Sequence, residues 1–392
     1  MSRHILIFSL AYYPRFVSGA EAAVHEITDR ISSDAFVFHM ITMRFDMRDP
    51  REERIGNIHI HRVGFGASYL SKICSVPLMA ARARTLHRSH QIDAIWALMT
   101  YMTIPTVLAR VLGVRVPYVV TLQDGDTYEK VFGRWFIAPV VPVIDYGFRH
   151  AHVFHVISNY LGAWPKKRGY NGRIEVIPNG ADPRDVADSV SSGEIQELRA
   201  KLGKKENEVY LINTARLEHQ KAYDVVIRAL TKLPAHIKLL VVGSGTEEVS
   251  LKALADTCGV RDRVIFVGQV SRDEVTVYRK VSDIFVAPSR SEGLGNAFLS
   301  AMASEIPVIA TQEGGLTEFI FGSTHNKERE QTAWVVPKDD VDAIARSVEY
   351  ILAHNDEVKL VTARARKMVL ERFDWDTIAR DMETQVFKPL LA

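Results

Sequence analysis

The stretch "DIFVAPSRSEGLGNAFLSAMAS", residues 283–304, decides how the rest of the chain is read. It opens on a short apolar run, the pattern of a strand buried on both faces. Gly293 and Gly295 then loosen a loop, and a helical pattern starts at Asn296. A strand, a glycine-bearing loop and a helix form part of a βαβ unit, and such units bind ligands at the carboxyl ends of their strands. Glu292 stands in that loop, where a carboxylate can accept two hydroxyl hydrogen bonds from a sugar. Around Gly293, Leu294, Gly295 and Asn296, backbone N–H groups at the helix start point at a place for an anion. Once helical, Asn296 and Ser300 are four apart and share a face. A solvated or back-bonded helix serine is the plainer reading of Ser300.

The same alternation runs outward. Before it come strand candidates "HILIFSL", "AFVFHMIT", "NIHIHRVG", "DAIWALM", "PYVVTLQ", "HVFHVIS" and "IEVIPNG". The polar stretch "ADPRDVADSVSSGE", residues 181–194, reads as a linker. The pattern then restarts with "EVYLINTA", "IKLLVVG" and "RVIFVG", and continues past residue 304 with "IPVIAT" and "AWVVP". Helical patterns lie between most of these, and the chain reads as helical from Asp339 onward. The expected fold class is α/β, with two doubly wound Rossmann-like domains facing across a cleft. The first covers residues 1–180 and the second 181–370, with a last helix over 371–392.

Composition is consistent with this. The 392 residues are 47% hydrophobic and 24% charged, as in a soluble globular protein. No apolar run reaches the length of a membrane span. Cys74 and Cys258 lie far apart, which argues against a disulfide framework or a zinc site and for a reducing cytoplasm. Residues 1–180 hold 21 Lys and Arg against 14 Asp and Glu, and the remainder hold 28 against 33. The basic first part suits an anionic partner such as a lipid surface, or is ordinary scatter between domains. Lys72, Arg82, Arg84 and Arg88 lie in "YLSKICSVPLMAARARTLHRSH", and Lys166, Lys167 and Arg168 in "WPKKRGY". They could touch an anionic membrane peripherally, on its inner face, or form a solvated basic surface. Nucleic acid is not an expected partner.

Other segments of interest also follow strands. Gly19, in "AYYPRFVSGAE", allows close approach of backbone to a ligand, though an ordinary loop glycine serves as well. Arg216 and Lys221, in "NTARLEHQKAYD", offer a planar fork and a point charge that together could neutralise a diphosphate. Gly243 and Gly245, in "VVGSGTEE", form a turn that could approach a base or ribose, but Glu248 breaks the dinucleotide fingerprint. "EGGLTE" adds another glycine turn, with Gly314 and Gly315.

Taken in this order, the segments resemble the retaining nucleotide-sugar glycosyltransferases of family 4, which have the GT-B fold. The resemblance covers nearly the whole chain and is strongest from "VIPNGAD" to "EGGLTE". It implies an acceptor domain, a donor domain, and a final helix, "FDWDTIARDMETQVF", that crosses back to the first. Arg216 and Lys221 match the family's diphosphate clamp. Asn179 and Gly180 match its "PNG" segment, Gly243 and Gly245 its glycine turn, and Gly314 and Gly315 its late "GG". Glu292 matches the first acid of its E-x7-E motif, which is associated with the transferred sugar. Three positions depart from the pattern. Ser300 stands for the second acid, which typically binds the donor ribose. Gln123 stands for a histidine near the reacting centre, with Asp124 and Asp126 close by. Ser18 stands for the first glycine of "GGxE", while Gly19 and Glu21 match.

The reaction implied moves a sugar from a nucleotide diphosphate sugar to a hydroxyl acceptor, a glycan or a lipid-linked precursor, with retained configuration. Arg216, Lys221 and the helix start after Glu292 would stabilise the leaving diphosphate with no metal and no resident cofactor. Glu292 would orient the sugar, and Asp124 and Asp126 offer acidic groups close to the position of the missing histidine. With serine at 300, a charged ribose contact of about 1.5–3 kcal/mol is largely lost. Donor binding should then be about 10- to 100-fold weaker. The competing readings are a non-catalytic GT-B-like binding subunit and a nucleotide-sugar epimerase of the same fold.

Overall fold

The computed structural model describes residues 2–323 and 328–392. The chain divides into two units. One is Met1–Asn179 with Trp375–Ala392, and the other is Gly180–Asp374.

In the first unit, β1 (Arg3–Phe8), β2 (Phe36–Met43), β3 (Glu52–Ile55), β4 (Ile58–Val63), β5 (Ala94–Leu98), β6 (Tyr118–Leu122), β7 (Val153–Val156) and β8 (Arg173–Val176) form one sheet. Its order is β3-β4-β2-β1-β5-β6-β7-β8. Neighbours run parallel except β3 and β4. The sequence reading has no strand at β3. "EERI" is a polar edge segment whose exposure alternates with intermediate burial, so no apolar run marks it.

The chain's last segment completes this unit. Trp375, Ile378, Met382, Val386 and Phe387 are buried in one cluster with Ile5, Ile7, Phe38 and Trp96. The Phe387 ring sits 5.1 Å from that of Trp96. The Arg30 Nε, on the helix α1 (Gly19–Arg30), donates to Asp376 Oδ1 at 2.7 Å. Burying five large apolar side chains contributes on the order of 1.5–3 kcal/mol each. The preceding helix, Asn355–Arg372, stays with the second unit, where Ala181 N–H donates to the Phe373 carbonyl.

In the second unit, β9 (Val209–Thr214), β10 (Ile237–Val242), β11 (Val264–Gly268), β12 (Ile284–Ala287), β13 (Val308–Ala310) and β14 (Trp334–Val335) form a parallel sheet. The order is β11-β10-β9-β12-β13-β14.

Residues 181–194 do not form a linker. They hold the short helix Pro183–Val186, and Asp185 is wholly buried in the second unit. Arg279 Nε donates to Asp185 at 3.1 Å, its NH2 makes a second bond to the same carboxylate, and Ser304 Oγ donates to it too. Arg279 also bonds Thr276 Oγ1 at 3.1 Å. The polarity that suggests a linker is that of a satisfied buried network. Asp185→Ala leaves Arg279 buried without its counter-charge and should lower unfolding free energy by about 3–5 kcal/mol. Urea denaturation followed by tryptophan fluorescence measures this, and an unchanged midpoint would refute it.

Candidate functional site

The strand order of the second sheet reverses between β9 and β12, so the loops that leave these two parallel strands part at their carboxyl ends. Lys221 belongs to the first loop and Glu292 to the second. Lys221 Nζ lies 2.6 Å from Glu292 Oε1, and the side chains are only 14% and 8% exposed. Ser289 Oγ donates to the same carboxylate oxygen at 3.0 Å. An ion pair so far out of water holds only while both partners are present. It therefore ties the two loops together.

Further contacts hold the loops. Arg290 grips Asp224 with two bonds, of 2.9 and 2.8 Å, and Asp339 with a third of 2.7 Å. Its backbone N–H donates to Gln220, and its guanidinium reaches the His219 carbonyl at 2.7 Å. Buried Tyr223 donates its hydroxyl to the Ala215 carbonyl at 2.9 Å. The sequence reading passes over Arg290 because a loop arginine carries no mark of what it grips.

The glycine turns stand behind these loops. A Cβ on Gly243 would collide with the Ala215 carbonyl, and one on Gly245 with the Leu217 backbone. A Cβ on Gly314 would strike the Glu292 carbonyl, and one on Gly315 that of Gly293. Gly315 N–H donates to the Glu292 carbonyl at 3.0 Å. These glycines let one backbone pack against another, which places Arg216 and Glu292. Arg216 itself is exposed and forms no ion pair among the described residues. Gly295, at φ +100°, caps the helix Asn296–Ala303, with Leu294 buried just before it. Asn296 opens that helix and is half-buried.

Ser300 is buried on that helix, and its hydroxyl accepts from Asp182 N–H at 3.0 Å. Asp182 in turn caps the helix Pro183–Val186 and accepts from Arg272 Nε at 2.6 Å. The serine is thus fastened to the segment that follows Gly180. A hydroxyl that accepts one bond still has a proton to donate.

The remaining candidates lie in the first unit, apart from Gly180, which opens the second. Gly19 begins α1, and Ser18 is its N-cap, forming a capping box with Glu21. The serine in place of a glycine has a local purpose: both its N–H and its hydroxyl donate to the Glu21 carboxylate at the helix start. Gln123 Oε1 accepts from Asn179 Nδ2 at 2.9 Å. Asp124 is buried after β6 and accepts from Thr100 Oγ1 at 3.1 Å. Burial pushes its carboxyl up to about 6, against the pull of the Thr100 bond. Asp126 instead pairs with Lys130 at 2.8 Å and Arg134 at 2.9 Å.

The sign for Asp124 follows from its folded pKa lying above the ordinary carboxylate value of 3.8. Between these two values the folded chain binds more proton than the unfolded one. Its contribution is therefore complete below about pH 4 and lost as pH rises through about 6. Asp124→Asn should raise the melting temperature at pH 7 relative to the parent, and the gain should vanish near pH 4. Melting curves across that range measure this, and a gain that is equal at all pH values would count against the assignment.

Two family models match the chain. The "Glycosyl transferase 4-like domain" covers residues 18–180 and "Glycosyl transferases group 1" covers 194–368. A GDP-mannose-dependent alpha-(1-6)-phosphatidylinositol monomannoside mannosyltransferase of Mycobacterium tuberculosis is 28% identical over 320 residues, 77% of this chain and 78% of that protein. An uncharacterized glycosyltransferase of Methanocaldococcus jannaschii is 34% identical over 211 residues; the match spans 53% of this chain and about half, 52%, of that relative. Among solved structures, sucrose-phosphate synthase from Thermosynechococcus elongatus superposes with a TM-score of 0.84 at 21% identity, over 99% of both chains.

Proposed function

The chain belongs to the family 4-like glycosyltransferases of GT-B fold, and from that premise we propose that it moves a sugar from a nucleotide diphosphate sugar to a hydroxyl acceptor with retained anomeric configuration. The observation that carries this reading is the Lys221–Glu292 pair at the point where the strand order of the second sheet reverses. A donor whose diphosphate enters there meets the exposed guanidinium of Arg216 first. It then shares Lys221 with Glu292. Charge that builds on the leaving diphosphate is stabilised by both cations and by the N–H groups that open the helix Asn296–Ala303. Glu292 is held by Lys221 and Ser289, which suits a carboxylate that accepts sugar hydroxyls and not one that attacks carbon. With no nucleophile supplied there, the leaving phosphate takes the acceptor proton on the same face, and configuration is kept. Neither a metal nor a resident cofactor enters the proposal.

Ser300 gives the donor ribose one neutral hydrogen bond through its remaining proton. Such a bond contributes about 0.5–1.5 kcal/mol, against about 1.5–3 for a charged one. The expected enzyme is active and binds its donor weakly.

The acceptor is proposed to be a lipid-linked or glycan hydroxyl. The helix α2 (Tyr69–His90) supports the lipid form. Its first turns leave Tyr69, Leu70 and Ile73 more than half exposed beside exposed Lys72. Arg84 and Arg88 are exposed further along, whereas Arg82 is tied to Glu52. Apolar side chains flanked by cations suit the surface of an anionic bilayer. No helix among the described residues is long and apolar enough to cross a membrane. Flotation with phosphatidylglycerol vesicles at low salt should carry the protein upward, and a protein that stays wholly at the bottom would end the lipid-surface reading.

The donor is tested by titrating GDP-mannose, UDP-glucose and ADP-glucose and following release of nucleoside diphosphate. One donor should bind and be slowly hydrolysed. Arg216→Ala should lower its kcat/KM by about 100-fold or more, and Ser300→Ala should weaken binding by about 2- to 10-fold. Product configuration is then read by NMR once an acceptor is found. Saturable binding with no release, whatever the acceptor, would favour a silent binding subunit. Conversion of the donor to its epimer would favour an epimerase.

A further inference from the structure

One face of the first sheet carries a column of imidazoles. The parallel register of β1 and β2 pairs Leu6 with His39, so His4 and His39 project from the same face. The register of β2 and β4 sets His59 opposite His39, with His61 two residues on. The helix α2 packs over these strands, and its last residue, His90, brings a further ring to the column. The ring centroids of His39 and His90 are 4.7 Å apart, and those of His4 and His39 5.4 Å.

We propose that His4, His39 and His90 form a binding site for one divalent transition metal of the zinc class, open at a fourth position. One ligand nitrogen from each of the three lies within 4.8 Å of the others. His4 Nδ1 and His39 Nε2 are 3.2 Å apart. Two nitrogens bound to tetrahedral zinc at about 2.0–2.1 Å are separated by about 3.3 Å, so this pair already has the required spacing. His90 is exposed at a helix end, so its side chain can turn to close the third distance. His39 is nearly buried and is backed by His61 Nε2, 3.4 Å from its own Nδ1. Behind His61, the Glu52 carboxylate lies 3.5 Å from Nδ1. With metal on His39 Nε2, the His39 proton faces His61 and the His61 proton faces Glu52. This chain of imidazole and carboxylate is of the kind that orients metal ligands. Arg82, 3.0 Å from the same His61 nitrogen, favours the opposite tautomer in the metal-free chain. Metal loading therefore exchanges one tautomer for the other.

The site lies on the amino-terminal side of the fold. His4 is the second residue of β1, and His90 ends the helix that leads into β5. It is separate from the carboxyl ends of the strands, where sugar chemistry is expected. A metal there would clip the end of α2 to β1 and β2, a structural role and not a catalytic one.

The test is zinc titration of the full chain with any affinity tag removed, by calorimetry at neutral pH, together with melting curves. One equivalent should bind and raise the melting temperature. His90→Ala, a change at an exposed position, should weaken binding by at least about tenfold. His4→Ala combined with His90→Ala should abolish both binding and the thermal shift. His150→Ala, an exposed histidine elsewhere in the unit, should change neither. The cobalt-loaded chain should show visible absorption typical of a tetrahedral site, and the double variant should not. Failure to bind zinc in saturating excess, or equal binding by parent and double variant, would overturn the proposal. These readouts do not involve sugar transfer, so their failure and the failure of the transferase reading are distinguishable.

Discussion

A lysine and a glutamate removed from water beside each other constrain more of this fold than their size suggests. Neither charge of the Lys221–Glu292 pair can remain buried without the other, so the loops after β9 and β12 must stay in register at their closest approach. Everything around the pair serves that requirement. Tyr223 anchors the first loop, Arg290 joins it to the second, and glycines behind each loop admit a neighbouring backbone where any side chain would collide. The pair is close to charge-neutral. Arg216, outside the pair, is exposed and forms no ion pair among the described residues. Under the proposed function, an arriving diphosphate would meet one open positive charge and one shared one.

The strands of both sheets were legible because buried parallel strands are short apolar runs, and turns and helices separate them. β3 was not, because an edge strand needs no apolar run. The stretch 181–194 misled for a related reason. Composition reports polarity, but not whether a polar group is in water or in a network, and Asp185 is in a network. The candidate site residues in the second unit were named by type and order along the chain. Their partners were not. The family resemblance implies a diphosphate beside Lys221 and a sugar beside Glu292, but only coordinates show the two side chains bonded to each other. Likewise Ser300 is named by its position in a motif, whereas its bond to Asp182 joins residues 118 apart.

The histidine column lay beyond reach of sequence for a different reason. Its members come from three neighbouring strands and the end of a helix, elements far apart in sequence. Register alone brings them together, because a shift of one residue in β2 would turn His39 to the other face. The sheet that buries apolar rings of the returning segment on one side can therefore gather polar rings on the other.

That returning segment also has a consequence for synthesis. Residues 180–374 form a continuous unit, whereas the first unit's core needs side chains from both ends of its sequence. On the ribosome, Ile5, Phe38 and Trp96 must wait more than 275 residues for Phe387 to emerge. The second unit can finish folding during that wait, while the older half of the polypeptide keeps an incomplete apolar face. Assembly would then run against the order of translation, with the part made first being the last to close.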